Sequence, residues 1–128
     1  MRRELRLVLF KDSPESPLLL LRAEPSTLLW QLPGGAFVDY LDEADVIQIC
    51  RKALPETIVS RFTPLTSAFH KPSLPHEEEV LVIAFAGIVT GEVSRSPTIV
   101  EAKFVPIAML SRYSFGEESA VVIQKLFL

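Results

Sequence analysis

With one cysteine, Cys50, the 128-residue chain cannot form an internal disulfide, and it suits a reducing compartment. Set among Ile47, Ile49 and Ala53, the thiol reads as buried and unreactive rather than as a nucleophile or redox group. The two histidines, His70 and His76, lie beside proline-containing stretches without metal-ligand spacing, so they read as surface residues. Positive charge is not in excess either. A formal net charge of -3 and a pI near 5.4 give no electrostatic drive toward a nucleic acid polymer or an anionic membrane. Arg2 and Arg3 read as the solvated start of a strand. The longest apolar run, residues 80–89, is about half of what a membrane-spanning helix requires. The five glycines form neither a P-loop nor a dinucleotide fingerprint, and no nucleophilic triad is visible.

What is present is the composition of a folded domain, 48% apolar and 23% charged, at the length of one unit, residues 1–128. The basic N-terminal segment has only a brief apolar stretch, interrupted by charges, and runs into Lys11, Asp12, Ser13 and Pro14 rather than a small-residue cleavage site. A cytoplasmic location is the expectation.

The pattern along the chain alternates between periods. Residues 3–10, "RELRLVLF", partly alternate polar and apolar, and residues 18–22, "LLLLR", are apolar almost throughout. The hairpin-like spacing of the two predicts paired strands. After Glu24, Pro25 and Ser26 comes Trp30-Gln31-Leu32, then Pro33-Gly34-Gly35, a turn whose glycines permit positive φ or a close backbone approach. Residues 42–54 switch to a helical period, with Ile47, Cys50 and Leu54 on one face and Asp45, Gln48 and Lys52 on another. Asp42 is the expected N-cap, Glu43 and Asp45 occupy the first turn, and Pro55 should end the helix.

Residues 57–62 and 65–70 read as two strand-like pieces, and the "KPSLPHEEE" segment as a loop before the buried strand at 80–89. A turn from Gly91 to Pro97 and a strand at 99–105 follow. Pro106 suits the first position of a short helical turn. A last helix begins near residue 115, with Ser114 and Glu117 as a capping box and Val121, Val122, Ile123, Leu126 and Phe127 as its apolar face. Strands before, between and after two helices predict an α/β fold, an α/β/α sandwich with a mixed β-sheet between helices.

The Trp-x-Leu-Pro-Gly-Gly turn, followed by a loop and a helix ending in Arg-x-apolar-x-x-Glu, resembles the Nudix (MutT-like) hydrolase family. The flanking "PLLLLRAE" and "VEAKFVPIAML" segments extend the resemblance over nearly the whole chain. The family box runs glycine, five residues, Glu, seven residues, then Arg-Glu-apolar-x-Glu-Glu-x-Gly-apolar. Gly35 matches the box glycine and Glu43 the first glutamate, across a loop two residues longer. Arg51, Ala53 and Glu56 fit. Lys52 stands in place of one glutamate, Pro55 in place of another, and Ile58 in place of the glycine.

The resemblance implies a hydrolase that cleaves a nucleoside diphosphate linked to another moiety with Mg²⁺ or Mn²⁺, hard cations that need several carboxylate oxygens. It implies that Glu56 holds the metal and serves catalysis, with Glu78 or Glu101 as replacement ligands from outside the box. Glu43 and Arg51 correspond to the family's structural ion pair. Gly34, Gly35, Arg22 and Lys52 fall where substrate would be met; Arg22 is equally readable as a strand-end surface arginine, and Lys52 as a solvated helix lysine. A homodimer is a further implication. The altered box argues against strong metal binding, because a cation about 4 Å from a metal ion repels even a unit charge by roughly 4 kcal/mol at an effective dielectric of 20. The alternative is a catalytically inactive module of the same fold that binds a nucleotide-like ligand or a protein partner.

Overall fold

The computed structural model of the chain describes residues 1–12, 17–22, 28–70, 78–93, 99 and 101–128. The expectations for Glu24, Pro25 and Ser26, for His76 and Glu77, and for the turn through Pro97 lie outside these residues.

Leu5, Leu7 and Leu9 project to one side of the first strand and Val8 and Phe10 to the other, and all five are buried. A strand apolar on both faces needs cover on both. This strand, β1 (Arg2–Lys11), is central. It runs parallel to β5 (Val80–Thr90) over its full length and antiparallel to β2 (Leu18–Arg22) and the short β3 (Gly34–Ala36) on its other side. The edges are β4 (Ile58–His70) beside β5 and β6 (Glu101–Val105) beside β2, giving a six-stranded mixed sheet in the order β4-β5-β1-β2-β6.

Helix α1 (Glu43–Ala53) covers the Leu5, Leu7 and Leu9 face with Val46, Cys50 and Leu54. Helix α2 (Glu117–Phe127), with a 3₁₀ turn at Ile107–Arg112, covers the other face with Val122, Ile123 and Leu110. The expected α/β/α sandwich is therefore the observed one. No helix among the described residues is long and apolar enough to cross a membrane.

Asp42 caps α1 as its sequence suggests. Its Oδ1 accepts from the Asp45 amide at 2.8 Å, and Asp45 Oδ2 accepts from the Asp42 amide at 3.1 Å, which satisfies two donors at the helix start. The buried face is rotated slightly from expectation: Val46 is fully buried and Ile47 only half.

Three expectations require correction. Residues 57–62 and 65–70 are one strand, β4, because two register shifts, between Ser60 and Thr63 and between Pro64 and Thr66, absorb the residues that break the alternation. Pro64 is tolerated because β4 is an edge strand. Ser114 does not cap α2; its carbonyl accepts from the Trp30 amide at 2.8 Å, which holds it in extended backbone, and Gly116 takes the cap position without a side-chain bond. Pro106 likewise sits at the cap of its turn rather than inside it.

Candidate ligand-binding site

Pro33, Gly34 and Gly35 bring the chain alongside β1, where the Pro33 carbonyl accepts from the Leu7 amide at 2.7 Å. A β-carbon on Gly34 would stand 1.9 Å from the Leu5 carbonyl oxygen. Neither glycine has positive φ, so close approach, not left-handed backbone, is what the turn demands. Arg6 secures the run-in: its Nη1 donates to the Leu32 carbonyl at 3.2 Å, and its Nη2 pairs with Glu4 at 3.4 Å. From the other face, Ser119 Oγ accepts from the Leu32 amide at 2.9 Å and donates to Gln31 Oε1 at 3.1 Å. The glycine pair is thus held from both sides of the sheet.

Beside it, α1 presents Ile49, Lys52 and Ala53, and with Gly34, Gly35 and Ala36 these enclose a cleft of about 310 Å³. A second cleft of about 410 Å³ shares Ala36, Ile49 and Lys52 and extends along the helix past Gln48 and Asp45 to Phe37, Val38 and Tyr40. The two form one groove with Lys52 where they meet. Asp39 has φ 66° between Val38 and Tyr40, which leaves those side chains 80% and 76% exposed. The signal for this wall was the loop between Gly35 and Glu43, two residues longer than the family spacing and rich in apolar side chains, Phe37, Val38, Tyr40 and Leu41 among them.

Gly34, Gly35 and Lys52 are therefore brought together, and the other expected residues are dispersed. Glu56 follows Pro55 beyond the helix end, exposed, with φ 63°, and lines neither cleft. Glu43 and Arg51 do not form the expected ion pair. They are eight residues apart on one helix, about 12 Å of rise. Both line a different cleft, toward β4. Glu78 lies 3.7 Å from the Met1 amino group at the start of β1. Glu101 pairs at 3.2 Å with Arg22, its cross-strand partner, and the Arg22 guanidinium also lies over Trp30 at 5.8 Å.

Mg²⁺ or Mn²⁺ requires several oxygen ligands converging on one point. Among the described residues no three of His, Cys, Asp and Glu do so. Among the residues lining the cleft at the glycine pair, the charged one is Lys52, a cation. Among the described residues, Glu56, Glu78 and Glu101 are therefore not gathered into the set of oxygen donors that a divalent metal needs.

Cys50 is 3% exposed, and its thiol is pushed from 9.0 to about 11 by burial, which outweighs the opposing pull of Arg51. A thiol held neutral is a poor nucleophile, as its surroundings in the sequence suggested.

No family model matches the sequence, and no curated protein matches it significantly. Solved structures do. The MutT protein from Methanosarcina mazei Go1 superposes with a TM-score of 0.71 at 16% identity, over 98% of this chain and 91% of that one. A MutT NUDIX hydrolase from Burkholderia pseudomallei gives 0.72 at 18% identity, over 98% and 97%. The NUDIX domain of Shewanella oneidensis NrtR, complexed with ADP ribose, gives 0.68 at 20%, over 96% and 84%.

Proposed function

We propose, from the premise that this chain has the Nudix fold, that it is a binding module which holds a phosphate-bearing, nucleotide-like ligand without hydrolysing it. The observation that carries the reading is the exchange at one place: a lysine beside the glycine pair, with the carboxylates that would grip a metal scattered over the molecule.

Lys52 can do part of what a cation does for a diphosphate. It stands in the last turn of α1, where the helix dipole places roughly half a negative charge, an environment that repels phosphate. A full positive charge outweighs that half charge, and an ammonium on a flexible stem suits a point contact with phosphoryl oxygens. From Lys52 to Asp45 the groove follows about 10 Å of helix. Gln48 and Asp45 offer hydrogen bonds to hydroxyl groups along this span, and Tyr40 and Val38 offer an apolar wall for a planar base. The bound ADP ribose of the NrtR domain supports a ligand of this class.

Calorimetry with ADP and ADP-ribose tests the reading. The expected affinity is the same in EDTA as in Mg²⁺, and Lys52→Glu should weaken it roughly ten-fold, about 1.4 kcal/mol. Metal-dependent release of phosphate, or heat seen only with Mg²⁺, would overturn it in favour of a hydrolase working through Glu56.

A further inference from the structure

The flank of α1 that faces β4 carries the cleft of about 280 Å³ that Glu43 and Arg51 line, together with Ile47, Cys50, Val59, Ser60, Arg61 and Phe62. It shares no lining residue with the Lys52 groove. We infer that this cleft is a separate binding site for a phosphoryl group carried on a small apolar scaffold, with Arg51 and Arg61 as its two cationic contacts.

The cations come from different elements. Arg51 is in the last turn of α1, Arg61 is in β4, and among the described residues neither is in an ion pair. Two guanidinium groups that make no ion pair, in a cleft whose one carboxylate, Glu43, lies at its far end, are available to an oxyanion, which their fork geometry fits.

Arg61 is there because the backbone is bent to put it there. Its φ is 59°, in the left-handed region that arginine rarely adopts. Between the pairs Ser60 with Ile88 and Thr63 with Ala86, β4 spends two residues, Arg61 and Phe62, against the single Gly87 of β5. Such bulges redirect side chains, and they concentrate next to binding sites. Gly87, opposite the bulge, is crowded by its neighbours: a β-carbon there would stand 2.8 Å from Leu9 Cδ2, 3.0 Å from Val59 Cγ1 and 3.6 Å from Phe62 Cδ1. A residue in strained backbone at a bulge opposite a glycine, above an apolar floor of Ile47, Val59 and Phe62, forms a combination that a merely solvated arginine does not need. Cys50 stays a neutral thiol and does not oppose an anion. Glu43 bounds the far end, about 12 Å along the helix from Arg51, so the scaffold must be short.

Phenyl phosphate at millimolar concentration, followed by amide chemical shifts, is the probe. Shifts at Cys50, Arg51 and residues 59–62 are expected in the wild-type chain and in Lys52→Glu. Arg51→Gln and Arg61→Gly should each weaken binding roughly ten-fold. Glycine adopts φ 59° without strain, so Arg61→Gly should melt no lower than wild type, which separates a lost contact from a lost fold. No shifts, shifts confined to the Lys52 groove, or shifts that survive both arginine replacements would overturn the assignment. None of these outcomes depends on whether the Lys52 groove binds a nucleotide.

Discussion

Cys50 shows how a single side chain links burial to pH. Its thiol is neutral inside the α1 layer and ionises near 11, against 9.0 when exposed. A raised value means the unfolded chain loses its proton first. The stabilising contribution is therefore complete below pH 9 and is lost as pH rises toward 11, a total of ~2.7 kcal/mol for two units. Urea denaturation across that window should show wild type losing stability faster than Cys50→Ala, because the difference between them cancels the lysines and tyrosines that titrate in both. Parallel slopes would show that the thiol reaches solvent. Burial of this kind was legible from apolar neighbours along the helix. Charged partners were not: the register of β2 and β6 sets Glu101 against Arg22, and the start of β1 brings the Met1 amino group beside Glu78, pairings between residues far apart in the sequence.

At the scale of the element, α1 was readable because its signals are local. Asp42 and Asp45 cap one end by hydrogen bonds within four residues, and Pro55 closes the other, where the Leu54 amide makes the last helical bond, to the Cys50 carbonyl at 2.8 Å. β4 was not readable as one strand, since its continuity lies in its pairing with β5 through two register shifts and not in its own alternation. The same local logic makes the proposed loss of metal binding reversible. Glutamate at 52 and 55 would place carboxylates three residues apart on one helical face, next to Glu56 and beside the glycine pair. Lys52→Glu with Pro55→Glu should lengthen α1 in far-UV circular dichroism, and Mg²⁺ should raise the melting temperature of the double variant by a few degrees while leaving wild type unmoved. A double variant as indifferent to Mg²⁺ as wild type would mean that the pocket lacks further donors, and that the departure from a metal site extends beyond the box.

The whole molecule is two apolar layers divided by one sheet, and β1 contributes to both through alternate side chains. The sandwich was anticipated from strands before, between and after two helices, while the two-sided burial of β1 was not, because its polar residues make it read as partly alternating. Which helix covers which face depends on the order β4-β5-β1-β2-β6, a long-range pairing that no local pattern encodes. The shared strand should also make the layers melt together. Leu54 is fully buried on the α1 side, while Trp30, the sole tryptophan, packs in the α2 layer edge-on to Tyr113 at 5.7 Å. Leu54→Ala removes a buried side chain and should cost about 3 kcal/mol. If β1 couples the layers, tryptophan fluorescence should report the full loss of stability from the opposite face, at the same urea midpoint as circular dichroism. A fluorescence midpoint that stays at its wild-type value while circular dichroism shifts would show that the α2 layer holds its structure alone and that the sheet separates the two cores instead of joining them.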